Sequence, residues 1–156
     1  MASERNPTTK PGSDLSNGNT LRSSGKKEKA CLLLVDDDPN VCRALSRLFR
    51  PLGFRTVIAQ SAEQALNFLS GIEADIIITD MRMPGKNGRQ LLEEVSRRYP
   101  HIHRILLTGY ADLKETTDAI RAGLVDDFLT KPWEVEHIEK CVLKAEKTAH
   151  MRRTKR

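Results

Sequence analysis

Residues 30–38 read ACLLLVDDD. A continuous apolar run that stops at three aspartates suits a strand buried on both faces, and such strands belong to parallel sheets covered by helices. The chain that follows repeats this texture. Pro39 fits the first turn of a helix, and Val41, Ala44, Leu45, Leu48 and Phe49 recur at three and four, the stripe of an amphipathic helix. Pro51 and Gly53 end it.

Working outward, residues 54–59 read as a second strand. Ser61 with Gln64 makes a capping-box pattern ahead of a helical stripe at Ala62, Ala65, Leu66 and Leu69. Residues 75–79 (DIIIT) form a β-branched third strand, and residues 83–88 a loop punctuated by Pro84, Gly85, Asn87 and Gly88. Leu91, Leu92 and Val95 mark a third helix that closes near Pro100. Residues 104–108 are a fourth strand. Asp112 with Glu115 resembles a capping box opening a helix that stops at Gly123. Residues 127–130 (DFLT) are a fifth strand, and Val135, Ile138, Val142 and Ala145 face inward on a last helix. The alternation predicts an α/β fold: one (βα)5 domain over residues 30–148, a parallel sheet with helices on both sides.

The ends differ from the body. Residues 1–29 are rich in Ser, Asn, Thr, Pro, Gly and Lys without apolar periodicity, and are expected to be a disordered tail. Residues 149–156 are expected to be a basic C-terminal tail. Six basic and three acidic residues lie in 1–29, and four basic residues with no acid in 150–156. The two ends therefore carry about +7 and the stretch between them −2, which together make the formal net charge of +5. That balance argues against nucleic-acid binding by this domain alone. No apolar run approaches a membrane span, and no secretory signal opens the chain, so a cytoplasmic location is the default expectation. Cys31, Cys42 and Cys141 are odd in number and widely spaced, which speaks against a disulfide framework or a zinc site. His101 and His103 alternate before the fourth strand, but no further ligand accompanies them.

Ligands of open parallel sheets bind beyond the carboxyl ends of the strands. Asp36, Asp37 and Asp38 end the first strand, Asp80 the third and Thr108 the fourth, and Lys131 follows the fifth. Carboxylates gathered in one crevice repel one another, and a hard divalent cation such as Mg2+ relieves that repulsion through oxygen ligands. A carboxylate beside such an ion can attack phosphorus, with an ammonium and a hydroxyl stabilising the phosphoryl oxygens.

VDDDPNV (35–41), IIITDMRMPGKNG (76–88), ILLTGYAD (105–112) and FLTKPW (128–133) together resemble the receiver domain of two-component response regulators. The resemblance implies a flavodoxin-like, doubly wound sheet in the order 2-1-3-4-5. It implies that Asp80 is the phospho-acceptor, aided by Thr108 and Lys131. It implies that Mg2+ is held by Asp37, Asp80 and the backbone carbonyl of Arg82, with Asp36 acting through water. Thr108 and Phe128 match the switch pair, and Arg82 and Tyr110 the positions that tune phosphate lifetime. The implied partners are a sensor histidine kinase or a histidine phosphotransfer protein, and a downstream protein target on the face formed by the fourth helix, fifth strand and fifth helix. Phosphorylation-linked homodimers are common in the family.

Three other readings compete. A Mg2+-dependent phosphatase would need a second acid two residues after the nucleophile, and Arg82 cannot serve. A pseudo-receiver scaffold that is never phosphorylated would have no need of the intact acids, Thr108 and Lys131. A receiver fragment of a larger regulator fits as well as a single-domain one, since no second domain of useful size follows Thr148. The module is expected to catalyse only its own phosphorylation and dephosphorylation.

Overall fold

The opening apolar run becomes a strand, β1 (Cys31–Val35), with a parallel neighbour on each side. The structure, a computed structural model, describes residues 30–154; the expected disordered tail at 1–29 lies outside them. The other strands are β2 (Arg55–Ala59), β3 (Ile76–Asp80), β4 (His103–Thr108) and β5 (Asp127–Thr130). They form one parallel sheet in the order β2-β1-β3-β4-β5. The connecting helices are α1 (Pro39–Phe49), α2 (Ala62–Leu69), α3 (Gly88–Arg98), α4 (Leu113–Arg121) and α5 (Val135–Thr154).

A strand covered on both faces sends alternate side chains into two separate cores. Leu33, Val35, Ile77 and Leu106 pack with Ala65, Leu91, Leu92, Val95 and Ala119 of α2, α3 and α4. Leu32, Leu34, Ile78, Ile105 and Leu107 pack with Cys42, Leu45 and Phe49 of α1 and Ile138, Val142 and Ala145 of α5. Each fully buried Leu or Ile contributes about 1.5–3 kcal/mol, so neither face of β1 tolerates a polar residue. All three cysteines are buried and unpaired.

Local chemistry sets the helix starts. Asp38 caps α1 by accepting from the Asn40 amide (2.9 Å), with Pro39 in the first turn. Ser61 accepts from the Gln64 amide (3.0 Å) at the start of α2. Asn87 and Gln90 form a complete capping box at α3, within a stretch whose sequence reads only as a loop. The Asp112–Glu115 pattern does not cap α4, because the Asp112 side chain is turned elsewhere.

α5 continues to Thr154, and its last turns are held down rather than solvated. Ala149 is buried. Arg152 donates to both oxygens of Asp126 (3.1 and 2.9 Å), and Arg153 pairs with Asp75 and Glu73. Asp75 and Asp126 precede β3 and β5 and also accept from the Cys31 and Arg104 amides (both 2.8 Å). Arg152 and Arg153, read as part of a tail, thus pair with acids at the amino edge of the sheet. His103, read as part of a loop, lies in β4 and is buried, and burial pulls its pKa down.

Candidate functional site

Parallel registry puts the strand ends on one edge. Val35 pairs with Thr79, Asp80 with Leu107, and Thr108 with Thr130. Asp36 and Asp37 follow β1 directly, Asp80 ends β3, and Lys131 follows β5. Carboxylate oxygens of Asp36, Asp37 and Asp80 lie within 4.8 Å of one another. The Lys131 ammonium closes the group, 3.0 Å from Asp36 Oδ2 and 3.1 Å from Asp80 Oδ1. The Lys131–Pro132 peptide is cis, and the Lys131 amide donates to the Thr108 carbonyl (2.9 Å).

Asp36 is 2% exposed and Asp80 9%. Burial raises the Asp80 pKa, and the Asp36 charge adds to it, against the opposing hydrogen bond from Lys131. Burial pulls the Lys131 pKa down, but hydrogen bonds to the two carboxylates outweigh it, so the ammonium is held above its ordinary value. One cation thus serves two buried anions while a third acid, Asp37, stays exposed beside them. Three converging carboxylates with one ammonium are a hard-oxygen donor set, which fits Mg2+ rather than a soft metal.

The loop after β3 is pressed close to the acceptor strand. The Gly88 amide donates to the Met81 carbonyl (2.9 Å), and a Cβ at Gly88 would lie 2.2 Å from the Asp80 carbonyl oxygen. Only glycine permits that approach.

Two further contacts run from this edge to the start of α4. Thr108, fully buried, accepts at Oγ1 from the Thr116 hydroxyl (2.9 Å) and lies 3.2 Å from the Gly109 carbonyl, to which it donates. Arg82 reaches Asp112 with Nε (2.7 Å) and Nη2 (2.6 Å) and Glu115 with Nη2 (3.3 Å). The acids hold the Arg82 pKa up. Phe128 and Tyr110 point outward, 37% and 78% exposed. The structure therefore gathers Asp36, Asp37, Asp80 and Lys131 around one point and leaves the Thr108 hydroxyl bonded to α4. Thr116, Asp112 and Glu115 were not singled out as functional from sequence. Their positions at one helix start were visible, but not their long-range partners. Among the described residues, the group able to hold a metal ion is Asp36, Asp37 and Asp80, and the histidine pair contributes nothing to it.

The model of the response regulator receiver domain family matches residues 32–143. This chain belongs to that family. It is 39% identical over 105 residues to the response regulator protein FleR of Pseudomonas aeruginosa, covering 67% of this chain and 22% of FleR. It is 34% identical over 111 residues to the transcriptional regulatory protein FixJ of Rhizobium meliloti, covering 69% of this chain and 54% of FixJ. Among solved structures, the signal receiver domain of an HD domain-containing protein from Pseudomonas fluorescens Pf-5 superposes with a TM-score of 0.78 at 32% identity. That match covers 84% of this chain and 96% of the other. The receiver chain thus spans about a quarter to a half of these curated relatives. The fold expected from sequence, a flavodoxin-like sheet in the order 2-1-3-4-5, is the one observed. No described helix is long and apolar enough to cross a membrane.

Proposed function

We propose that this receiver accepts a phosphoryl group on Asp80 from a histidine kinase or a histidine phosphotransfer protein. The carrying observation is the convergence of Asp36, Asp37 and Asp80 on one point with Lys131 bridging two of them. An Asp80 carboxylate oxygen attacks phosphorus, a P–O bond forms, the P–N bond to the donor histidine breaks, and the imidazole leaves with the electron pair. Mg2+, when bound by Asp37, Asp80 and the Arg82 backbone carbonyl, and by Asp36 through water, supplies charge neutralisation for the phosphoryl oxygens. Lys131 gives up one of its two carboxylates to meet the phosphoryl group from the other side.

Thr108 then turns its proton from the Gly109 carbonyl to a phosphoryl oxygen, moving away from Thr116, and Phe128 turns from its exposed position into the space vacated. The surface of α4, β5 and α5 changes with it, which is the surface a downstream protein or a second receiver would recognise. Arg82 and Tyr110 border the approach of water to the acyl phosphate and set its lifetime. The setting is cytoplasmic, where kinase and receiver meet. The share of the relatives covered supports a receiver belonging to a larger regulator.

Acetyl phosphate with Mg2+ tests this by intact mass. Wild type is expected to gain one phosphoryl group and Asp80→Asn none. Equal labelling of both, or labelling of neither, would overturn the assignment, and the latter would favour a scaffold role.

A further inference from the structure

The acids at the strand ends leave a second polar cluster unexplained. Asp112 is 6% exposed and occupies the cap position of α4, yet its carboxylate makes no cap bond. A carboxylate at that position ordinarily accepts from an amide of the first helical turn. Here it turns back to the loop that carries Asp80 and takes two donors from Arg82, whose Nη2 also reaches Glu115. Arg82 lies two residues past Asp80, so their Cα atoms are at most about 7 Å apart. The guanidinium is thus tethered to α4 while an anion on Asp80 would come within reach of the same side chain.

We propose that Asp112 is a positioning residue for phosphorylation. It holds the Arg82 guanidinium on the start of α4 while Asp80 is unmodified, and yields it to the phosphoryl oxygens once Asp80 carries them. The inference rests on the reading of Asp80 as phospho-acceptor. The Nε–Nη2 edge that now meets Asp112 is the donor fork a phosphoryl group would take, and a phosphoryl group matches that planar fork at least as well as a carboxylate does. The exchange would leave Asp112 free to cap α4 and would cut one of two tethers on that helix. The other is the Thr116–Thr108 hydrogen bond, which would break if Thr108 moves to donate its proton to a phosphoryl oxygen instead of to the Gly109 carbonyl. Both tethers end within one turn, at Asp112, Glu115 and Thr116. Their loss together would make the rearrangement of α4 steeper than either alone.

The test uses the full chain as wild type, Asp112→Asn, Arg82→Ala and the double variant. Arg82→Ala keeps the backbone carbonyl assigned to the metal. Two quantities are read: the rate of labelling by acetyl phosphate, from intact mass, and amide hydrogen exchange over residues 109–121 before and after labelling. Asp112→Asn is expected to change the labelling rate by about threefold to tenfold, the span a half-exposed ion pair can bias. Its unlabelled α4 start should exchange faster than that of unlabelled wild type but, with the Thr116–Thr108 bond intact, more slowly than that of labelled wild type. In the Arg82→Ala background the same substitution should change neither quantity. An effect of Asp112→Asn that is equal in both backgrounds marks a plain structural role and overturns the proposal. So does a variant indistinguishable from wild type. Should Asp112→Asn fail to fold, Arg82→Ala alone decides: its α4 start must exchange faster before labelling and gain less on labelling than wild type does. Absence of labelling on wild type would instead sink the phospho-acceptor reading itself.

Discussion

Replacing Lys131 with methionine keeps the length and most of the apolar stem of the side chain while deleting one charge. That charge faces Asp36 at 3.0 Å and Asp80 at 3.1 Å, both largely buried. Removing one partner of a fully buried ion pair costs about 3–5 kcal/mol, whereas an exposed pair is worth about 0–1 kcal/mol. The Lys131 side chain is 30% exposed, so solvent screens part of the loss and roughly 2 kcal/mol is expected. For a chain of this size that lowers the melting temperature by about 4–8 °C. The assay is urea and thermal denaturation in chelator, followed by circular dichroism. Adding Asp80→Asn removes one of the two anions left without a partner, so the double variant should recover about half of the loss. Millimolar Mg2+ should stabilise Lys131→Met more than it stabilises wild type, because the ion relieves the same repulsion. A Lys131→Met protein as stable as wild type, with Asp80→Asn adding nothing, would refute the account of this site as one cation shared by two buried anions.

Gly88→Ala places a methyl group 2.2 Å from the Asp80 carbonyl oxygen; we expect a loss of about 1–3 kcal/mol and slower acetyl phosphate labelling, read by denaturation and intact mass. Because burial raises the Asp80 pKa, the folded protein keeps this proton at pH values where the unfolded chain has lost it. Stability from this group therefore falls as pH rises from the ordinary carboxylate value through the higher folded one. The urea midpoint of wild type in chelator should drop relative to Asp80→Asn across that window, and parallel curves would contradict the assignment. Deleting residues 149–156 removes the buried Ala149 and the Arg152 and Arg153 pairs. It should destabilise the domain by about 1–3 kcal/mol, whereas a free tail would cost nothing measurable.

What sequence could reveal depended on range. The run at Cys31–Val35 announced a doubly covered strand because Leu32 and Leu34 feed one core and Leu33 and Val35 the other. The acids and Lys131 were legible because strand ends are local features, and a parallel sheet puts such ends on one edge whatever lies between them. Asp112 was misread for the opposite reason. Its spacing from Glu115 is that of a cap, but its true partner, Arg82, lies 30 residues earlier. Arg152 and Arg153 looked like solvated charge because nothing near them in the chain is acidic, while Asp126 and Asp75 stand 26 and 78 residues away. The Asn87–Gln90 box was within local reach, yet Pro84, Gly85 and Gly88 around it gave the stronger loop signal.

The course of α5 has a consequence for how the module can be wired. Ala30 leads into β1 beside Glu146, its amide 3.3 Å from that carboxylate, and Thr154 ends the helix just past the arginines pinned to Asp75 and Asp126. Polypeptide therefore enters and leaves on the same flank, opposite the acidic crevice. A swing of α5 on phosphorylation would therefore be delivered at Thr154, on the flank away from the crevice that a visiting donor has to reach.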